Sequence, residues 1–204
     1  MHPIKNIIFD LGGIFMNIDF KKTEQAFIDL GITQFPDMFN QHFANHLFED
    51  LETGKITPDQ FYEAFRQGTG TTLSNTQIKD AWNALLLDFP EERLVWLEEL
   101  STCYKLFLYS NTNQIHYEGF MDILQKENDR SQFNHLFSKA YYSHELGLRK
   151  PYPASFQYIL KEQNLNPSET LFIDDTLGNI EGAKEAGLQT IHLVAPRTVL
   201  DLGL

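Results

Sequence analysis

The segment Ile7-Ile8-Phe9-Asp10-Leu11-Gly12-Gly13 constrains this chain most: a continuous apolar run stops at a carboxylate, and two glycines follow. A run without polar alternation reads as a strand buried on both faces, and the glycines read as a tight exit turn. Four further short runs have the same character: Lys105–Tyr109, Ala140–Tyr142, Thr170–Ile173 and Thr190–Val194, with Ile4–Phe9 as the first. Helical stretches over Pro90–Leu100, Pro153–Gln163 and Gly178–Ala186 separate the later ones, the first with Leu94, Val95 and Leu97 on one side and the last leading to Gly187. Strand and helix in alternation predict an α/β fold, a doubly wound parallel five-stranded sheet with its site at the carboxyl ends of the strands.

The rhythm breaks once. Between Phe9 and Lys105 the chain is far longer than one crossover helix needs, and residues from about Phe20 to Phe89 read as helical. Thr57-Pro58-Asp59-Gln60 and Ser74-Asn75-Thr76-Gln77 are capping boxes, and Gly31 and Gly68 are the expected helix stops. The expected organisation is a core formed by residues 1–16 plus 90–204, and an inserted helical cap over 17–89. Phe39, Phe43 and Phe48 are expected in the core of that cap. Gln125–Arg130 and Phe133–Phe137 read as connecting structure.

A length of 204 residues with 17 phenylalanines supports one substantial interior. The formal net charge of −12 argues against nucleic acid or an anionic membrane as partner. Cys103, the single cysteine, excludes an internal disulfide and a thiolate metal cluster, and its place beside an apolar run predicts a buried thiol. After Met1-His2-Pro3 the chain enters its first strand with neither a basic leader nor a spanning apolar stretch, so a cytoplasmic protein is expected. Oligomeric state has no signature in the sequence.

Four elements fall at the carboxyl ends of successive strands: Asp10, then Ser110-Asn111-Thr112-Asn113, then Lys150 shortly after the third, then Asp174-Asp175. In a parallel sheet these ends converge. Paired carboxylates can hold a hard cation such as Mg²⁺. A hydroxyl, backbone N–H groups and an ammonium can bind phosphate oxygens. Asp10 is placed to act as nucleophile, giving an aspartyl-phosphate that water hydrolyses. A lone Asp after a strand is more often a turn residue, and Ser110 or Lys150 alone would be unremarkable; the combination makes the case. Asp174-Asp175 can also cap the helix that follows. His42 and His46, at i and i+4, lack a third ligand at matching spacing for zinc. His116, His135, His144 and His192 suggest only structural or surface roles.

These motifs resemble the haloacid dehalogenase superfamily along the whole chain, with a helical cap inserted after the first motif. Ile8–Gly13 is similar to its first motif, Tyr109-Ser110-Asn111 to the second, Lys150-Pro151 to the third and Phe172-Ile173-Asp174-Asp175 to the fourth. The resemblance implies Asp10 as nucleophile and metal ligand, Gly12 offering its carbonyl to the metal, Ser110 and Asn111 holding phosphate, and Lys150 bridging nucleophile and phosphate. It implies Asp175 as a direct Mg²⁺ ligand, Asp174 as direct or water-mediated, and Asn179 supporting that shell. The wording around Arg149-Lys150-Pro151 and Asn179–Ala183 is similar to a bacterial glucose-1-phosphatase-like subgroup. The expected activity is Mg²⁺-dependent hydrolysis of a small phosphorylated metabolite, a sugar phosphate such as glucose 1-phosphate. Alternatives are a hydrolytic haloacid dehalogenase, a phosphoglucomutase-like phosphotransferase, and a phospho-ligand-binding protein with weakened catalysis. The last arises because Gly12 stands where many such phosphatases carry an acid–base aspartate. Asp19, His42 and His46 are the candidates to replace it.

Overall fold

The apolar runs at Ile7–Phe9, Leu106–Tyr109 and Leu171–Ile173 are fully interior, because helices cover both faces of the sheet they form. The structure, a computed structural model, describes residues 3–40, 43–128 and 132–204. In chain order, strand β1 (Asn6–Phe9) is followed by helix α1 (Phe20–Asp29), a two-residue hairpin of β2 (Phe39–Asn40) and β3 (Phe43–Ala44), and helices α2 (His46–Glu52), α3 (Pro58–Thr69) and α4 (Asn75–Asn83). Helix α5 (Glu91–Leu100), β4 (Lys105–Ser110), α6 (Gln114–Asn128) and β5 (Lys139–Tyr142) come next. The short α7 (Ser143–Leu146), α8 (Pro153–Glu162), β6 (Thr170–Asp174), α9 (Leu177–Glu185) and β7 (Gln189–His192) complete the chain's main elements.

The main sheet is parallel with order β5-β4-β1-β6-β7, so the chain starts at the centre, winds one way, and returns to wind the other. Ile7 and Phe9 face the layer containing Leu94, Leu97, Phe120 and Leu124 of α5 and α6. Ile8 faces Phe156, Ile159, Ile180 and Ala183 of α8 and α9. Successive strand residues point to opposite faces, and here both faces are dry, which explains the lack of polar alternation.

Helices α1 to α4 bury an aromatic centre of their own, with Phe27, Phe35, Phe48, Phe61, Phe65 and Trp82 all fully enclosed. Each such ring contributes roughly 1.5–3 kcal/mol on burial. Both capping boxes form as the sequence indicates, Thr57 with Gln60 and Ser74 with Gln77. Two backbone crossings carry the chain into and out of this bundle and pair with each other: Asp19 N donates to Leu85 O at 2.9 Å, Asn17 N to Asp88 O at 2.9 Å, and Leu87 N to Asn17 O at 3.1 Å.

Several expectations are corrected. The region from Phe20 to Phe89 is not helical throughout, since the antiparallel pair of β2 and β3 interrupts it. Gly31 does follow the end of α1 with φ +90°, but Gly68 lies inside α3, whose left-handed stop is Gly70 at φ +69°. Val95 points outward at 41% exposure, leaving Leu94, Leu97 and Leu100 as the buried stripe of α5. Cys103 is exposed, because it sits in the turn ahead of β4 rather than in the strand. Of the expected connection Gln125–Arg130, residues 125–128 are the last turn of α6, and 129–130 lie outside the described residues. Phe39 and Phe48 are buried in the helical bundle; the side chain of Phe43 lies outside the described part.

Candidate active site

The sheet register brings the motif residues together. Phe9 pairs with Leu108 on one side and with Ile173 on the other, so Asp10, Ser110 and Asp174 emerge at one edge. Asp10 N donates to Ile173 O at 2.9 Å, extending the ladder by one residue and holding the Asp10 backbone. Lys150 arrives from the loop between α7 and α8. Asn111 clamps that loop twice: its Nδ2 donates to Lys150 O and its Oδ1 accepts from Lys150 N, both at 2.9 Å. The neighbouring turn is fixed by Ser143 Oγ, which accepts from Thr112 N at 2.9 Å and donates to Thr112 O at 2.8 Å.

Lys150 Nζ donates to Asp10 Oδ1 and to Asp174 Oδ2, each at 2.7 Å, and the lysine is only 1% exposed. Asp174 is wholly buried. Its carboxylate also accepts from Thr176 N at 2.8 Å and from Asn179 Nδ2, which reaches Oδ1 at 3.1 Å and Oδ2 at 3.0 Å. Asp174 therefore fixes the backbone just ahead of α9 while it holds Lys150; it does not cap the helix as the sequence suggests, since the N-cap is Thr176, with no side-chain cap bond. Asp175 is held by Thr176 Oγ1, which donates to its Oδ1 at 3.1 Å, and His192 Nε2 donates to its carbonyl at 2.9 Å. Gly13 is required beside it: its φ is +73°, and a Cβ there would lie 2.5 Å from Asp175 Oδ2.

Carboxylate oxygens of Asp10, Asp174 and Asp175 lie within 4.8 Å of one another, the one such ligand group among the described residues. Three carboxylates against one ammonium leave surplus negative charge in a buried place. Burial pushes Asp10 up to about 7 against the pull of Lys150, with Asp174 and Asp175 adding to the rise. Burial also raises Asp175, reinforced by Asp174. For Lys150 burial alone would favour the neutral amine, but Asp10 and Asp174 outweigh it, and its pKa is raised. A hard divalent cation matches this donor set in charge and in ligand type.

A cavity of about 270 Å³ opens in front of the cluster, lined by Asp10, Gly12, Ser110, Asn111, Lys150 and Asp175 among others. The lining also includes apolar Met16, Ile18, Phe20, Leu85, Leu86 and Phe120, and polar Thr112, His116, Glu52 and Arg149. Arg149 Nη2 stands 2.9 Å from Glu52 Oε2, and Nη1 stands 3.6 Å from Glu49 Oε1, joining α2 to the lysine loop. Burial raises the pKa of Glu52, opposed by Arg149. His116 is buried and stacks on Trp82 with ring centroids 4.4 Å apart. Its Nε2 lies 3.0 Å from Trp82 O, which can only accept, so Nε2 carries the proton and Nδ1 accepts from Asn113 Nδ2 at 3.1 Å. Burial lowers His116 to about 4, so it is neutral at physiological pH.

Of the residues the sequence singled out, the structure brings Asp10, Gly12, Ser110, Asn111, Lys150 and Asp175 to the cavity, with Asp174 directly behind. The side-chain amide of Asn111 is spent on the Lys150 loop. Asp19 lies outside the cavity lining and caps α1, accepting from Lys21 N at 2.9 Å. His46 is exposed at the start of α2, and His42 lies outside the described residues. The sequence reading passed over Glu52, Arg149 and His116. Arg149 adjoins the catalytic-looking lysine, and His116 with Phe120 and Leu124 repeats every four residues, a helical stripe that points His116 inward.

Residues 4–187 match the family model for haloacid dehalogenase-like hydrolases. A D-ribitol-5-phosphate phosphatase of Bacteroides thetaiotaomicron is 33% identical over 93% of this chain and 91% of its own length. A haloacid dehalogenase family enzyme of Bacteroides thetaiotaomicron, solved with magnesium and inorganic phosphate, superposes with a TM-score of 0.83 at 33% identity, covering 95% of this chain and 96% of that one. A haloacid dehalogenase-like hydrolase of Porphyromonas gingivalis gives a TM-score of 0.81 at 29% identity over 93% and 91% of the two chains.

Proposed function

The chain belongs to the haloacid dehalogenase-like hydrolase family, and we propose that it is a Mg²⁺-dependent phosphatase of a small sugar or polyol phosphate, with residues 17–89 acting as a cap over the site. The observation that carries this reading is the ammonium of Lys150 set between Asp10 and Asp174, with Asp175 alongside. A hydrolytic dehalogenase has no use for three convergent carboxylates. A relative that is a D-ribitol-5-phosphate phosphatase, and a similar structure containing magnesium and phosphate, support the same choice.

Asp10, Asp175, Asp174 and the carbonyl of Gly12 are the groups that would hold Mg²⁺, which supplies charge neutralisation for a phosphoryl group approaching a carboxylate. Asp10 attacks phosphorus, the bond to the substrate oxygen breaks, and the leaving alkoxide takes a proton from water. Water then cleaves the aspartyl-phosphate, returning Asp10 and releasing phosphate. Lys150 stays charged throughout, since two carboxylates hold its proton, and serves both the nucleophile and the phosphoryl oxygens. Ser110 and the backbone N–H of Asn111 bind the remaining oxygens, Thr112 N being held by Ser143 Oγ. Asn111 keeps Lys150 in place through the two main-chain bonds.

The test is phosphate release from a panel that includes D-ribitol 5-phosphate, glucose 1-phosphate and a haloacid, with Mg²⁺ and with chelator. Mg²⁺-dependent phosphate release that Asp10→Asn abolishes is the expected result. Chelator-insensitive halide release, or phosphate binding without turnover of any substrate, would overturn it.

A further inference from the structure

We propose a further activity: the site hydrolyses phosphate monoesters of apolar alcohols, with the alkyl chain lying against Ile18, Phe20 and Leu86. This rests on the phosphatase reading above and extends it to a substrate class without hydroxyl groups.

Ile18, Phe20 and Leu86 line the cavity and are only half-buried. Each is backed by a buried cluster. Ile18 and Leu86 pack on the core that includes Met16 and Phe120, and Phe20 packs on the aromatic centre of the bundle, its ring centroid 6.0 Å from that of Phe39. Ile18 and Leu86 are antiparallel bridge partners, so their side chains stand on the same side of the paired backbone. These apolar faces are held in place before a ligand arrives, and covering them costs little further ordering. Apolar area taken out of water is the gain that an alkyl chain obtains there.

Position and chemistry both favour carbon. A Cβ at Gly12 would lie 2.8 Å from Ile18 Cδ1, so Ile18 stands beside the turn that follows Asp10. An alcohol esterified to a phosphate on the Asp10–Lys150 cluster therefore has hydrocarbon within reach of its first carbons. Much of the polar lining is already engaged. Asn111 is spent on the Lys150 main chain and Asn179 on Asp174. His116 donates to Trp82 O and accepts from Asn113, and Glu52 is paired with Arg149 at 2.9 Å. A chain without hydroxyls leaves none of these groups unpaired when it binds. The reaction is the one already described: Asp10 takes the phosphoryl group as the bond to the alkyl oxygen breaks, water protonates the alkoxide, and water then cleaves the aspartyl-phosphate.

The test is kcat/KM with Mg²⁺ for ethyl, butyl and hexyl phosphate, whose leaving oxygens are equally basic, so the series reads chain length alone. A buried methylene is worth up to about fourfold, and the wild type should favour hexyl over ethyl phosphate by at least about tenfold. Ile18→Thr and Leu86→Ser should each reduce that ratio by at least about threefold. A ratio taken on one preparation does not depend on how much of the variant is folded. Ethyl- and hexylphosphonate, which cannot be hydrolysed, should bind in the same order. A flat or falling series, in turnover or in phosphonate binding, overturns the proposal, as does a ratio that either variant leaves unchanged. Phosphate released from D-ribitol 5-phosphate but from no alkyl phosphate overturns it too. If no compound of either kind, nor glucose 1-phosphate, releases phosphate, the phosphatase reading itself fails, a result distinct from the others.

Discussion

Asp10 is held in a place that disfavours its own charge, and Asp10→Asn measures by how much. Burial, against the pull of Lys150, raises its pKa from 3.8 to about 7. A group whose folded pKa exceeds its unfolded value contributes stability that is complete below the unfolded pKa and is lost as pH rises through the folded one. For Asp10 that loss spans pH 4 to 7 and comes to about 4 kcal/mol at pH 8, with about 2 kcal/mol already lost at pH 5. Asparagine imitates the neutral acid and does not titrate. Metal-free Asp10→Asn should therefore be more stable than metal-free wild type by up to about 4 kcal/mol at pH 8, and the two should converge near pH 4. At about 2–4 °C per kcal/mol for a chain of this size, the midpoint should rise by about 8–16 °C at pH 8. Taking the difference between two proteins cancels His116, whose lowered pKa makes it lose stability in the opposite sense, as pH falls from 6.5 to about 4. Chemical or thermal denaturation with chelator at pH 4, 5 and 8 provides the measurement. Adding Mg²⁺ should then stabilise wild type more than the variant, because the ionised carboxylate is what the cation binds. If the variant were less stable than wild type at pH 8 without metal, the Lys150 pair would outweigh desolvation and the argument would fail.

Two further outcomes follow from the geometry. Asn111→Ala removes both bonds to the Lys150 main chain and should cost about 1–3 kcal/mol in denaturation and lower kcat by about 10–100-fold through misplacement of the ammonium; unchanged kcat would mean the loop holds Lys150 unaided. With glycine at position 12, proton assistance worth about 10²–10⁴ in rate is missing, so aryl phosphates with acidic leaving groups should be cleaved at least about 10²-fold faster than alkyl phosphates; equal rates would reveal a proton donor in the site.

The parts of the molecule that the sequence made legible share a physical cause. Strands covered on both faces must be continuously apolar, so β1, β4 and β6 announced themselves, and each motif at their ends inherited a position from the sheet. Helices α3 and α4 were legible because their capping boxes are local. What escaped depends on tertiary neighbours. Helix α6 opens with Gln114-Ile115-His116-Tyr117-Glu118-Gly119, which mixes β-branched, aromatic and glycine residues without a capping signal, and only its buried stripe of His116, Phe120 and Leu124 betrays it. Gly70 rather than Gly68 ends α3 because Gly70 N reaches Arg66 O at 2.8 Å, a choice between two nearby glycines that spacing alone does not make. The Glu52–Arg149 contact joins residues far apart in the chain, and each alone reads as a surface charge.

Gly12 is the place where sequence and structure together say more than either. A missing carboxylate suggests a gap, yet a Cβ at position 12 would stand 2.8 Å from Ile18 Cδ1, so a side chain there has to displace the end of Ile18. Ile18 comes from the entry crossing, and Leu85 and Leu86 come from the end of the bundle, where the return crossing begins. Those crossings are bonded to each other, so these apolar lining residues are carried by the segment that joins the helical bundle to the sheet. Hydrocarbon therefore stands beside position 12. His116 does not compensate, being neutral with its proton committed to Trp82 O. The arrangement thus offers charge stabilisation of a phosphoryl group rather than proton transfer to the leaving oxygen, so an alkyl phosphate has to take that proton from water.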